Sequence, residues 1–287
     1  MKRAGTLLIA LLLLGAIGTS ARAAQPATVK NVDQSRAEVV DYWTAERMRD
    51  AVPLDITVAP GGEAQQAAVA FTRYEPNPYP AMHGKVFFSD GVSNYVCSGT
   101  AVTSANESVV WTAGHCVHQG PGVFYSNWAF VPQYRDGARP YGTWTARRLM
   151  TTSGWATRGD FSYDLGAAVV NANGGATLTD TVGSRGAAFN QPAQQRYLSH
   201  GYPAASPFNG QREYVCDSNL GGRDPSTSPQ TMAIGCDMTG GSSGGGWVVG
   251  NNVLTVNSYG YSNQPNVMYG PYQGSVAQQL YTSAGSG

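Results

Sequence analysis

Over most of the chain the apolar positions come in short runs separated by glycine, proline, asparagine and serine, a pattern of strands and turns rather than of helices. From about residue 84 these runs follow one another closely. They include Lys85-Val86-Phe87-Phe88, Tyr95-Val96-Cys97-Ser98-Gly99-Thr100-Ala101-Val102, Ser108-Val109-Val110-Trp111-Thr112-Ala113 and Leu165-Gly166-Ala167-Ala168-Val169-Val170. Gly246-Trp247-Val248-Val249 and Val253-Leu254-Thr255-Val256 complete the series, and Asn251-Asn252 between them predicts a tight hairpin turn. Many short strands with little helix predict an all-β sandwich or barrel. Two stretches depart from this pattern. Val39, Val40, Tyr42, Trp43 and Met48 interleave with Glu38, Asp41, Glu46, Arg47 and Arg49, which predicts one short amphipathic helix stopped before Pro53. Val276, Leu280 and Tyr281 predict a short C-terminal helix. Pro60-Gly61-Gly62 is turn material, and Glu75-Pro76-Asn77-Pro78-Tyr79-Pro80 reads as an extended linker.

The first residues read as a targeting signal. Lys2 and Arg3 are followed by an apolar run over 7–17 and by Ala21-Arg22-Ala23, a small-x-small pattern that places cleavage after Ala23. The run is shorter than the roughly 20 residues a membrane span needs, and no second one follows. A secreted protein without stable membrane association is expected, with 1–23 as signal peptide, 24–80 as pro-segment and linker, and 81–287 as the main domain. An N-terminal extension that stays attached is the plain alternative for 24–80.

Composition narrows the partners. Net charge is zero and 13% of residues are charged, with no basic stripe, which argues against nucleic acid as a partner. A monomer without cofactor is expected. The four cysteines, Cys97, Cys116, Cys216 and Cys236, allow three disulfide connectivities in an exported protein. Neighbour pairing would close two similar loops, each stabilising by roughly 3 kcal/mol on the loop-entropy model. A four-cysteine zinc site is disfavoured because no Cys-x-x-Cys pair occurs.

Candidate chemistry lies in three segments. A hydroxyl becomes an effective nucleophile when it has a base within reach, an acid orienting that base, and donors for the oxyanion. Thr112-Ala113-Gly114-His115-Cys116 offers the base and Tyr163-Asp164-Leu165-Gly166-Ala167-Ala168-Val169 the acid. Thr239-Gly240-Gly241-Ser242-Ser243-Gly244-Gly245-Gly246-Trp247 offers the nucleophile. These segments resemble the His, Asp and Ser motifs of the chymotrypsin-like serine peptidases, in that family's order and at intervals of 49 and 79 residues. The resemblance covers roughly 84–280 and is nearest to the bacterial secreted branch, beside trypsin-like and glutamyl-endopeptidase-like enzymes. Tyr42-Trp43-Thr44-Ala45-Glu46-Arg47-Met48 resembles the pro-regions of such proteins.

The resemblance implies two packed six-stranded antiparallel β-barrels with the active site between them. It implies His115 as general base, Asp164 as the acid that orients it, Ser243 as nucleophile, and the N–H groups of Gly241 and Ser243 as oxyanion hole. It also implies a Cys97–Cys116 bridge beside His115. Bland alternatives stand beside these roles. Asp160 is the alternative acid, Ser242 the alternative nucleophile, and His118 reads as a solvated loop residue. Two positions depart from the family: Ser242 stands where animal trypsins have the Asp that anchors a newly cut N-terminus, and Gly246 stands where Pro is usual. Asp237, six residues before Ser243, is placed by the resemblance at the base of the primary pocket, where a carboxylate favours Arg or Lys before the cut. Ser258, Tyr259 and Gly260 are the expected pocket wall, and the absence of a histidine there weakens a glutamate preference.

Gly241-Ser242-Ser243-Gly244-Gly245 also fits the nucleophile elbow of α/β-hydrolases. In that fold the catalytic histidine follows the serine, whereas His83, His115, His118 and His200 all precede Ser243. No His-Glu-x-x-His motif supports a metalloprotease. The remaining rival is a catalytically inactive protease homologue serving as a secreted binding module.

Overall fold

The computed structural model describes residue 1 and residues 27–54, 56–59 and 69–287. The signal segment beyond Met1 and the Pro60-Gly61-Gly62 turn lie outside the described residues.

Where one amphipathic helix is expected there are two. β1 (Thr28–Asn31) leads to α1 (Arg36–Tyr42), capped by a reciprocal pair between Ser35 and Glu38. Trp43 leaves helical geometry, and the Thr44 hydroxyl accepts from the Arg47 amide to start α2 (Ala45–Asp50). The apolar pattern persists across the break: Val39, Trp43 and Met48 are all buried, in one cluster with Phe87, Val96, Ala129 and Val131. The indole N–H of Trp43 donates to the Asn127 carbonyl at 2.6 Å. β2 (Val52–Pro53), β3 (Thr57–Val58) and β4 (Phe71–Tyr74) follow. The expected linker 75–80 is tied down at its ends, with Glu75 bonded to Arg212 and Tyr214 and the Tyr79 carbonyl accepting from Gln133.

The first barrel is built from β5 (His83–Ser89), β6 (Asn94–Val102), β7 (Val109–Thr112), β8 (Ser126–Pro132), β9 (Trp144–Thr151) and β10 (Gly166–Val170). It runs β9-β10-β7-β6-β5-β8 and closes through β8–β9, all antiparallel. Every residue of β5 is buried, which the inward alternation of a barrel does not require. Val86 and Phe88 point into the barrel core with Val110, Leu149 and Val169. Phe87 points outward and is buried by Trp43 and its neighbours. The N-terminal segment therefore covers a barrel face, with β1 paired to β9 and β2 to β6.

After α3 (Ser153–Arg158) and α4 (Leu178–Val182), the second half forms a sheet in the order β11-β16-β15-β12-β13-β14-β18, with β4 added on β13. Its strands are β11 (Gly186–Ala187), β12 (Arg196–Gly201), β13 (Tyr214–Arg223), β14 (Met232–Gly235), β15 (Gly246–Val249), β16 (Asn252–Val256) and β18 (Val267–Gly270). The short β17 (Gly260–Tyr261) pairs in parallel with β3. The β15–β16 turn falls at Gly250-Asn251, one residue earlier than expected, because Val249 pairs with Asn252 and Gly250 takes a positive φ of 59°. α5 (Ser275–Gly285) is the expected C-terminal helix and buries Ala277 and Leu280 on the first barrel's core. The cysteines pair as neighbours, Cys97 with Cys116 and Cys216 with Cys236. No helix among the described residues is long and apolar enough to cross a membrane.

Lys85 is an unusual feature of β5. It is 2% exposed, its ammonium donates to the Gly210 carbonyl at 2.8 Å, and it lies over the rings of Phe87 and Tyr134. Burial pushes its pKa down to about 7. The unfolded chain, with lysine near 10.4, then binds more protons between those values, so this residue's contribution to stability rises from pH 7 to 10.4 and its cost is fullest below pH 7. Lys85→Met is expected to stabilise the fold at pH 7 by on the order of 1–3 kcal/mol and to remove that part of the pH dependence. Chemical denaturation at pH 6.5 and 9.5 checks this; an unchanged slope in the variant counts against it.

Candidate active site

β7 ends at Thr112, and a single 3₁₀ turn, Gly114–Cys116, carries His115 back toward the interior. Its register is tied by the Cys116 bridge to β6. Asp164 arrives from the neighbouring strand of the same barrel, at the end of the 3₁₀ turn Phe161–Tyr163 that precedes β10, where Gly166 pairs with Thr112. The two side chains meet in full burial. Asp164 Oδ1 accepts from the His115 amide at 2.8 Å, and Oδ2 pairs with His115 Nδ1 at 2.7 Å. Ser258 Oγ also donates to Oδ2. A carboxylate can only accept, so the proton sits on Nδ1 and the Nε2 lone pair is free. Nε2 is buried and has no hydrogen-bond partner among the described residues, Ser243 Oγ included. Trp155 walls the imidazole at 6.0 Å between ring centroids.

Ser243 sits on a tight loop between β14 and β15, held against the first barrel. Its carbonyl accepts from the Ser98 amide at 2.7 Å, and Cys116 Sγ lies 3.6 Å from the same oxygen. Gly241 precedes it with a φ of +94°, and a Cβ there would stand 2.8 Å from the Tyr202 carbonyl. Neither the Gly241 nor the Ser243 amide has a hydrogen-bond acceptor among the described residues, whereas the amides of Ser242, Gly244 and Gly245 are all bonded. Two free N–H groups two residues apart on one tight loop are suited to receive a developing oxyanion.

The alternatives separate cleanly. Ser242 is buried and its hydroxyl donates to the Thr239 carbonyl at 2.8 Å. Asp160 caps the following 3₁₀ turn and pairs with Arg158. His118 is not solvated as expected; it is buried edge-on against Phe124, and its carbonyl accepts from the Trp155 indole.

No protein-family model matches the chain. Among solved structures it is similar to protease Anisep from Arthrobacter nicotinovorans, at 46% identity and a TM-score of 0.71, over 75% of this chain and 100% of that one. It is 48% identical to the thermostable serine protease AL20 of an extremophilic microorganism, at a TM-score of 0.69, over 74% of this chain and 99% of that one. The chain belongs to the chymotrypsin-like serine proteases. A Glu endopeptidase structure shares the fold at 18% identity and a TM-score of 0.61, over 77% of this chain and 100% of that one. The "Extracellular metalloprotease" of Bacillus subtilis (strain 168) is 34% identical over 86 residues, which are 30% of this chain and about a quarter (26%) of that protein's length.

Beside Ser243 the protease has a cleft of about 360 Å³. Asp237, Ser258, Tyr259 and Gly260 line it, as does Thr57 of β3. Asp237 is the single charged side chain among the described residues that line it. One oxygen is ion-paired with Arg73 of β4, and the other is buried without a partner among the described residues. Behind the wall Asp224, fully buried, accepts from the hydroxyls of Tyr259 and Tyr261 at 2.6 and 2.8 Å. Asp224 escapes a reading of the sequence, because Gly-Gly-Arg-Asp-Pro looks like an ordinary turn. So does the bond from Ser258 to Asp164, which joins residues 94 positions apart.

Two groups of metal-ligand side chains occur among the described residues. In the first, with His115, the sulfurs of Cys97 and Cys116 are bonded to each other. In the second, the rings of His83 and His200 stack in parallel at 3.8 Å beside Glu213. Their in-plane lone pairs run side by side and do not converge on one ion.

Proposed function

We propose that this protease is a secreted endopeptidase that cleaves through an acyl-enzyme, with Ser243 as nucleophile, His115 as general base and Asp164 as the acid behind it. The observation that carries the reading is the buried His115–Asp164 pair, which leaves Nε2 as a free acceptor on a turn whose Cys116 touches the Ser243 carbonyl. In the cycle His115 takes the Ser243 proton as Oγ attacks the carbonyl carbon, and the Gly241 and Ser243 amides receive the oxyanion. His115 then gives the proton to the departing amine, and water repeats the sequence on the acyl-enzyme.

A preference for Arg or Lys before the cut fits the cleft. Among the described residues lining it the one charge is the Asp237 carboxylate, and in the uncut chain that carboxylate already holds a guanidinium, that of Arg73. Residues 1–23 act as signal peptide and 24–80 as pro-segment and linker in this reading. β3 lies along the cleft wall, where Ile56 and Val58 carbonyls accept from the Gly260 and Ser262 amides at 3.3 and 3.1 Å. Those amides are the edge on which a substrate strand would pair. A cut near residue 80 frees that edge and carries Arg73 away from Asp237.

The test is a peptide-library digest with mature wild type and Asp237→Asn. Wild type is expected to select Arg and Lys, and the variant to lose about 10–10²-fold in kcat/KM for those residues with little change for apolar ones, since one charge-assisted contact is removed. A library cut without basic preference removes the specificity claim and leaves the nucleophile assignment standing.

A further inference from the structure

We infer that Asn257 is a positioning residue for the oxyanion hole: its side-chain amide anchors the peptide unit that carries the Ser243 N–H. The inference rests on the reading of Ser243 as nucleophile and oxyanion donor.

Asn257 is fully buried just after β16 and uses its whole hydrogen-bonding capacity. Its Oδ1 accepts from Ser199 Oγ and from Trp247 Nε1, both at 2.7 Å. An indole N–H can only donate, so the amide orientation is settled and Nδ2 must be the donor end. Nδ2 donates to the carbonyls of Ser242 and His200, both at 3.0 Å. The backbone of Asn257 brackets the same loop. Its N–H donates to Gly245 O at 2.9 Å, and its carbonyl accepts from Gly244 N at 2.8 Å.

The consequence follows from peptide planarity. The Ser242 carbonyl and the Ser243 N–H belong to one trans peptide unit and point in opposite directions. Holding the carbonyl oxygen holds the N–H. The Ser242 oxygen has two donors, Asn257 Nδ2 and the Gly245 amide, while the Ser243 N–H on the far side has no acceptor among the described residues. The other candidate donor is built alike: the Gly241 N–H shares its peptide unit with the Gly240 carbonyl, which accepts from the Ala204 amide at 2.7 Å. Fixed dipoles aimed at a charge that develops later are what such a site requires, and a peptide free to rock loses that advantage. Asn257 thus ties the serine loop to β12 through His200, and to β15 through Trp247.

The experiment compares mature wild type, Asn257→Leu and Asn257→Asp. Asp keeps the shape and both acceptor bonds but cannot donate as the amide does. Each is measured for kcat and KM on a peptide substrate, and for inhibition by a peptide boronic acid, whose tetrahedral adduct places an oxygen in the hole. The expected result is a kcat lower by about 10–10²-fold, somewhat less than deletion of a donor, with boronate affinity weakened in parallel and KM within about twofold. Wild-type kcat and boronate affinity in a folded variant overturn the inference, as does a loss carried by KM alone. Should neither variant accumulate folded, Ser199→Ala combined with Trp247→Phe leaves Asn257 in place and unties its oxygen. A fall of about 3–10-fold in kcat and boronate affinity is then expected, and unchanged values overturn the inference. Ser243→Ala runs alongside: full activity there would overturn the nucleophile assignment on which the inference rests, whereas loss of activity there with wild-type values in the Asn257 variants overturns the anchor alone.

Discussion

Ser243→Ala is expected to abolish turnover for practical purposes, with kcat falling by at least about 10⁴-fold and fluorophosphonate labelling lost. The expectation rests on the separation of binding from bond making. The variant keeps the Gly241 and Ser243 amides, the cleft and the His115–Asp164 pair, so a residual acceleration over water persists. What disappears is the hydroxyl proposed to form the acyl-enzyme. Folding should be untouched, because Ser243 Oγ makes no hydrogen bond among the described residues and the loop is held by its backbone. A thermal melt within a degree or two of wild type makes the kinetic comparison clean. The same variant reports on processing. If the chain cuts itself, secreted Ser243→Ala retains residues 24–80, and identical mature termini in both proteins assign the cut to another protease. Undiminished amide hydrolysis by the variant would remove Ser243 as nucleophile, and with it the roles of His115 and Asp164. A mature wild type that takes up no fluorophosphonate would favour the inactive homologue instead.

The second large effect is expected at Asp164. Asp164→Asn should lower kcat by about 10⁴-fold with little change in KM. Asp164 accepts three bonds, from the His115 amide, from His115 Nδ1 and from Ser258 Oγ. A carboxamide of the same shape has one accepting oxygen and one donating nitrogen. Whichever way it turns, one bond must reverse. If its NH₂ faces Nδ1, the imidazole proton moves to Nε2 and His115 can no longer accept from Ser243. If its oxygen faces Nδ1, the NH₂ opposes the His115 N–H, which has no other acceptor among the described residues. Asp160→Asn, which touches only a local cap and Arg158, is the matched control and should stay within about twofold of wild type. Measuring kcat for both across a pH profile separates tautomer loss, which raising the pH does not repair, from simple protonation, which it does. Comparable losses in the two variants would remove Asp164 from the role.

Much of the candidate site is readable in the sequence because its parts are local. His115 and Ser243 sit in contiguous segments whose glycines and neighbouring cysteine serve the turn that presents them. Asp164 is readable from its place ahead of an apolar strand. The same locality explains the small errors. The pattern over 36–50 marks a buried stripe, but not the point where Thr44 ends one helix and starts another. Asn251-Asn252 has good turn composition, yet cross-strand register moves the turn back to Gly250. His118 looks solvated in the sequence because nothing beside it announces Phe124 and Trp155 closing over it.

By itself the sequence determined the strand-rich class, the C-terminal helix and the identity and order of the three chemical segments, since each depends on residues within a few positions of one another. Only the tertiary structure decided which acid meets His115, which serine stays free, and how the cysteines pair. It alone showed that Arg73 holds Asp237, that β3 lies on the cleft wall, and that Asn257 anchors the serine loop. Each of those depends on contacts between distant residues, whose geometry is set by barrel closure and by the packing of the second sheet against it.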